Sequence, residues 1–153
     1  MRRLATTLSL LSLLALCGAC RKPATEPPWT YGGEFHRTIA RADRIVVRDG
    51  GFDGPRPVHQ QKVLFQIAKP AHIRLVYDHL KFEVNQVTRS CACCGYPGID
   101  WYRGKQGLAM TSVQHCRAIR WKDFPGDAAL TKESGAWLKR WLMDHGIKEN
   151  MLR

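Results

Sequence analysis

Residues 91–121 constrain this chain more than any other stretch. They read Cys91-Ala92-Cys93-Cys94-Gly95, then an apolar and aromatic run, then Gly104-Lys105-Gln106-Gly107, then His115-Cys116 and Arg120-Trp121. Glycine-bounded turn residues between two such runs are the signature of a β-hairpin. With residues 104–107 as a four-residue loop, Arg103 faces Leu108 and Gly95 falls opposite Cys116, because register propagates along both arms. One hairpin then carries four thiols and an imidazole to the same end of a small sheet. No other part of the sequence gathers soft, reactive side chains in this way.

The remaining pattern places this hairpin in a larger unit. A β-branched run at 45–47 is stopped by Asp49-Gly50-Gly51, and 63–67 reads as a second strand. Lys69-Pro70 opens a helix, since proline is tolerated in a first turn, and Ile73, Val76, Tyr77 and Leu80 repeat as an amphipathic stripe. His72 and His79 on that helix read as surface residues. The hairpin arms are 99–102 and 108–114, with 118–121 prolonging the sheet and 124–127 forming a turn. Thr131 caps a last helix whose buried face is Trp137, Leu138, Trp141 and Leu142, and Gly146 with Ile147 ends it. The expected fold is α+β: a small, mostly antiparallel sheet of about four strands, in the order β-β-α-β-β-α, with two helices on one face. It occupies residues 43–153 as a single domain.

The N-terminus gives an address. Met1-Arg2-Arg3 precedes an uncharged apolar run over residues 4–16, followed by Cys17-Gly18-Ala19-Cys20. A basic start, a short apolar core and small residues before a cleavage point make a secretory signal peptide, and the run is too short to span a bilayer, which takes about 20 residues. The ending resembles the lipobox of bacterial lipoproteins, with Gly18-Ala19 as the small pair and Cys17 where that family usually carries an aliphatic residue. The resemblance implies a signal peptide over 1–19 and lipidation of Cys20. It further implies a bacterial cell-envelope location, on the outer membrane facing the periplasm, because residue 21 is Arg rather than Asp. Residues 20–42 are expected to be an extended, proline-rich tether without a core. Cleavage would remove Arg2 and Arg3 and lower the formal charge from +11 to +9. Such a charge suits the membrane surface and anionic envelope components, and no nucleic-acid motif accompanies it.

The cysteine cluster allows three kinds of chemistry. Cys91, Cys93 and His115, with Cys94 or Cys116 nearby, can hold a soft divalent or monovalent metal such as zinc or copper. The Cys91-x-x-Cys94 spacing also suits a thiol oxidoreductase, and Cys91 or Cys93 with His115 as base suits a cysteine nucleophile. Alternatively, exported thiols pair as structural disulfides, with three pairings possible for four cysteines. The hairpin register favours Cys94 with Cys116, a bridge contributing ~3 kcal/mol in the chain-entropy picture. Arg120 offers a planar fork for a carboxylate or phosphate of a ligand or partner, and Asp100 offers a carboxylate to orient His115. A c-type haem is excluded by Gly95, which follows the second cysteine where histidine is needed.

Cys91, Cys93, Gly95, His115, Ile119 and Arg120 together resemble a pattern in a group of small uncharacterised bacterial proteins. Cys94 and Cys116 are additions to that pattern, which supports their pairing with each other. The sequence thus leads to a lipid-anchored envelope domain that is a non-catalytic binding module with a Cys/His site for a metal or partner. The alternatives are a thiol enzyme and a disulfide-stapled interaction lipoprotein.

Overall fold

The computed structural model describes residues 30–88 and 91–152, with no account of the side chains at 85–88. The expected signal peptide, Cys20 and the first part of the expected tether lie outside the described residues. The elements run α1 (Tyr31–Ile39), β1 (Arg44–Arg48), β2 (Val63–Ile67), α2 (Pro70–His79), β3 (Phe82–Thr88), β4 (Gly98–Arg103), β5 (Gln106–Gln114), β6 (Ala118–Trp121), β7 (Asp127–Leu130) and α3 (Lys132–Asp144). Short 3-10 helices occupy Val58–Gln60 and Glu149–Leu152.

The expected four-stranded sheet with two helices is corrected: the described residues form a seven-stranded antiparallel sheet with three α-helices, in the strand order β2-β1-β4-β5-β6-β7-β3. Two of the added strands lie at or next to one edge. β3 pairs with β7, and β7 begins at Asp127, the last residue of the expected turn. A further correction concerns residues 31–39, expected as tether. They form α1, capped by the Thr30 hydroxyl, which accepts from the Gly33 amide at 3.2 Å. Tyr31, Phe35 and Ile39 fall on one stripe and are buried. Gly32 lets the helix approach β3 closely, since a Cβ there would lie 3.0 Å from the Phe82 side chain.

The register also differs from the expected one. Arg103 pairs with Gln106, so Gly104-Lys105 is a two-residue turn, and a bulge between Trp101 and Tyr102 shifts the ladder to pair Asp100 with Met110 and Gly98 with Ser112. A one-residue slip exchanges the faces of a strand. The pairing partners then sort the side chains onto two faces.

One face carries Ile45, Val47, Ile99, Trp101, Ala109, Val113, Ile119 and Ala128 into the main core. All three helices contribute to that core. Phe35 of α1 meets Trp101 and Trp121 edge-on, at 6.1 and 5.7 Å, and Trp141 of α3 meets Phe65 of β2 at 5.5 Å. In α2, Ile73 and Val76 are buried, and Leu80 follows the helix into the core. α3 begins with the Thr131 hydroxyl accepting from the Ser134 amide and ends with Gly146 at φ +87° and Ile147 bonded back to Leu142.

The opposite face is buried too, but it is polar. Arg48, Asp100, Ser112, Gln114, Arg120 and Asp127 are each less than a tenth exposed. The segments around residues 49–54 and 91–97 lie against this face. Phe52 donates its amide to Ser112, Cys91 donates its amide to Asp127, and the Gly51 amide bonds the Gly95 carbonyl. Among the described residues no helix is long and apolar enough to cross a membrane.

Candidate metal centre

The β5–β6 connection spans residues 115–117 and opens with a tight turn whose two central residues are His115-Cys116. Both residues have positive φ, 53° and 52°, and the Arg117 amide bonds the Gln114 carbonyl at 2.9 Å. Hairpin turns of this kind favour Asn-Gly because a side chain resists positive φ, at a cost of order 1–3 kcal/mol per residue. Here the strained turn sends two neighbouring side chains in different directions. His115 is exposed, whereas Cys116 is 5% exposed in the core. Gly135 of α3 lies against the turn, where an added Cβ would sit 2.3 Å from the Cys116 carbonyl.

The segment carrying Cys91 and Cys93 is held by Arg120 of β6. Its Nη2 donates to the Cys91 carbonyl at 2.7 Å and its Nη1 to the Cys93 carbonyl at 3.1 Å. Nε and Nη2 hold the two carboxylate oxygens of Asp127 at 2.7 and 3.1 Å, and Nη1 also donates to Asp53. These bonds use all five N–H donors of the guanidinium. Asp127 in turn accepts the Cys91 amide at 2.9 Å. Arg120 was expected to contact a ligand or partner anion. In the structure the side chain is buried, its donors are engaged within the protein, and it positions the cysteine loop. Hydrogen bonds and charge from Asp127 and Asp53 hold the guanidinium pKa still higher than usual, against the opposing effect of burial.

On this frame Cys91, Cys93 and His115 each present one donor atom, all within 4.8 Å of one another. Cys91 Sγ lies 3.6 Å from His115 Nε2 and accepts the Cys93 amide at 3.3 Å. The Cys93 thiol lies 2.8 Å from Gln114 Oε1, and its single proton can go either to that oxygen or to the Cys91 sulfur. Gln114 is buried, and its Nε2 has no hydrogen-bond partner among the described residues. Turning the amide over would let it donate to a Cys93 thiolate, so one side chain can serve both protonation states.

The two thiols are driven apart in acidity. Cys91 is lowered to about 7, first by the hydrogen bond from the Cys93 thiol, then by the Cys93 amide and by His115. Cys93 is pushed up, chiefly by burial and then by its hydrogen bond to the Cys91 sulfur. Near neutral pH Cys91 is therefore about half ionised, while Cys93 keeps its proton. A half-ionised thiolate, a second thiol and an imidazole are ligands suited to a soft metal ion, and the second thiol deprotonates once the metal is bound.

Cys94 and Cys116 do not join this group and are free thiols. The bridge expected between them drew on the register of a four-residue loop and on the resemblance, and the observed register differs by one residue. Cys94 is exposed on the loop, and burial raises Cys116 to about 11. Asp100 is engaged by Arg48, which grips both its oxygens at 2.6 and 2.8 Å. The parts that sequence reasoning missed are Asp53, Gln114 and Asp127. Asp127 left one signal, its place directly after Phe124-Pro125-Gly126, from which a returning strand brings it opposite Arg120. No protein-family model matches the chain, and no curated protein or solved structure is similar to it.

Proposed function

We propose that this chain is a metal-binding module of the bacterial cell envelope, holding one soft ion at Cys91, Cys93 and His115 without turnover. The observation that carries the reading is the convergence of two sulfurs and one imidazole nitrogen within 4.8 Å. The frame around them supports it: outer partners that fix metal ligands are a regular part of such centres, and Arg120, Asp127 and Gln114 occupy that position. The N-terminal sequence supports a lipid anchor at Cys20, which would keep the module at the membrane. Titration of the reduced protein with Zn(II) and Cu(I) against a chromophoric chelator tests the binding reading. One equivalent should bind, and Cys91→Ser, Cys93→Ser and His115→Ala should each weaken it. Equal binding by all four proteins would reject it. Intact mass of the membrane-extracted protein tests the anchor.

A second reading, a thiol-redox or nucleophilic site, is favoured by the acidity of Cys91 beside His115. It requires turnover of a disulfide or electrophile that depends on Cys91, and the metal reading requires none.

A further inference from the structure

The soft donors do not end at Cys91, Cys93 and His115. The 3-10 helix Glu149–Leu152 passes beside the site, burying Leu152 and leaving Met151 48% exposed. Both residues line a cleft of about 230 Å³ whose wall also includes Cys93, Cys94 and His115. That lining contains no carboxylate and no Lys or Arg. Asp53 and Asp127, the carboxylates that approach the cysteine loop, are both held by Arg120. An ion in this cleft meets the Cys93 and Cys94 thiols, the His115 imidazole and the Met151 thioether, and Cys91, outside that lining, has its sulfur within 4.8 Å of the Cys93 and His115 donors.

We infer that the centre takes monovalent copper, with the Met151 thioether as its fourth donor. This rests on the reading of Cys91, Cys93 and His115 as metal ligands. A thioether is a neutral, soft ligand that favours Cu(I), whereas a zinc centre with three protein ligands completes its tetrahedron with water or a harder group. Methionine also suits a position that must adapt, because its unbranched side chain turns about three bonds. The helix carrying it is anchored by the buried Leu152 and by an ion pair of Glu149 with Lys139 at 2.6 Å, while Met151 itself stays exposed.

The test compares the reduced full chain with Met151→Leu, Cys94→Ser and the Cys91→Ser/Cys93→Ser double variant, in separate Cu(I) and Zn(II) competition titrations. Met151→Leu keeps the bulk and removes the sulfur. It should lower Cu(I) affinity by about tenfold and leave Zn(II) affinity within about twofold. The inference is overturned if Met151→Leu binds Cu(I) as tightly as the parent, if it loses both metals equally, or if Cys94→Ser alone carries the loss. Undiminished Cu(I) binding by the double variant would instead bring down the three-donor reading beneath it.

Discussion

Arg120→Ala should be the most damaging single substitution near the site. Its guanidinium bonds both carboxylate oxygens of Asp127, whose side chain is 3% exposed. Removing one partner of a buried pair strands the other charge and costs ~3–5 kcal/mol. Asp53, with its side chain 27% exposed, rehydrates and adds little. The Cys91 and Cys93 carbonyls lose their partners as well, so the lower end of that range is a floor. Against a domain stability of ~5–15 kcal/mol, this loss is visible in urea unfolding as a large fall in midpoint at constant slope. Arg120→Lys keeps the charge but has three donors on one nitrogen and cannot span the carboxylate and both carbonyls, so it should cost ~1–3 kcal/mol. In Arg120→Met/Asp127→Asn the stranded charge is gone, and the double variant should be less destabilised than the sum of its parts. A change under ~1 kcal/mol for Arg120→Ala would refute the claim that the cysteine loop is built on this residue.

Other consequences are more local. Gly135→Ala would gain ~1 kcal/mol in an open helix, but a Cβ 2.3 Å from the Cys116 carbonyl forces α3 or the turn to move, so thermal melts should show a net loss of ~1–3 kcal/mol. His115→Gly removes a side chain from a residue at φ 53°, so stability should hold or rise by up to ~1 kcal/mol while metal affinity is lost. The rate of Cys91 alkylation should rise through pH about 7, because the lowered pKa leaves the thiolate above that pH and the thiol below it. Cys116, buried and raised to about 11, should stay unlabelled at pH 8 until the protein unfolds. Metal affinity should fall on the acid side of the same midpoint, since protons then compete for Cys91.

The hairpin, α2 and α3 were legible because turn glycines, an apolar stripe and a threonine cap are local signals. α1 carries a stripe of the same kind, but Gly32-Gly33 and the prolines before it argue for an extended chain. β7 reads Asp127-Ala128-Ala129-Leu130, a sequence of weak strand preference after a strong turn, and only pairing with β6 and β3 makes it a strand. The polar face was harder still. Alternation such as Ile99-Asp100-Trp101 and Ile119-Arg120-Trp121 reads as a sheet with one solvated side. Here loops cover that side, and charges that look like surface residues become two buried ion pairs, Arg48 with Asp100 and Arg120 with Asp127. Hairpin topology brings Cys91, Cys93 and His115 to one end of the sheet and the Arg120 bonds to the cysteine loop complete their convergence, whereas the facing of Cys94 and Cys116 depended on a single residue of register.

X-ray absorption of the metal-loaded, reduced protein tests the central claim most directly. The account predicts a first shell with at least two sulfurs near ~2.3 Å and one imidazole nitrogen near ~2.0 Å, with the sulfurs lost in Cys91→Ser/Cys93→Ser. A shell of oxygen and nitrogen alone, or a spectrum unchanged in that double variant, would contradict it.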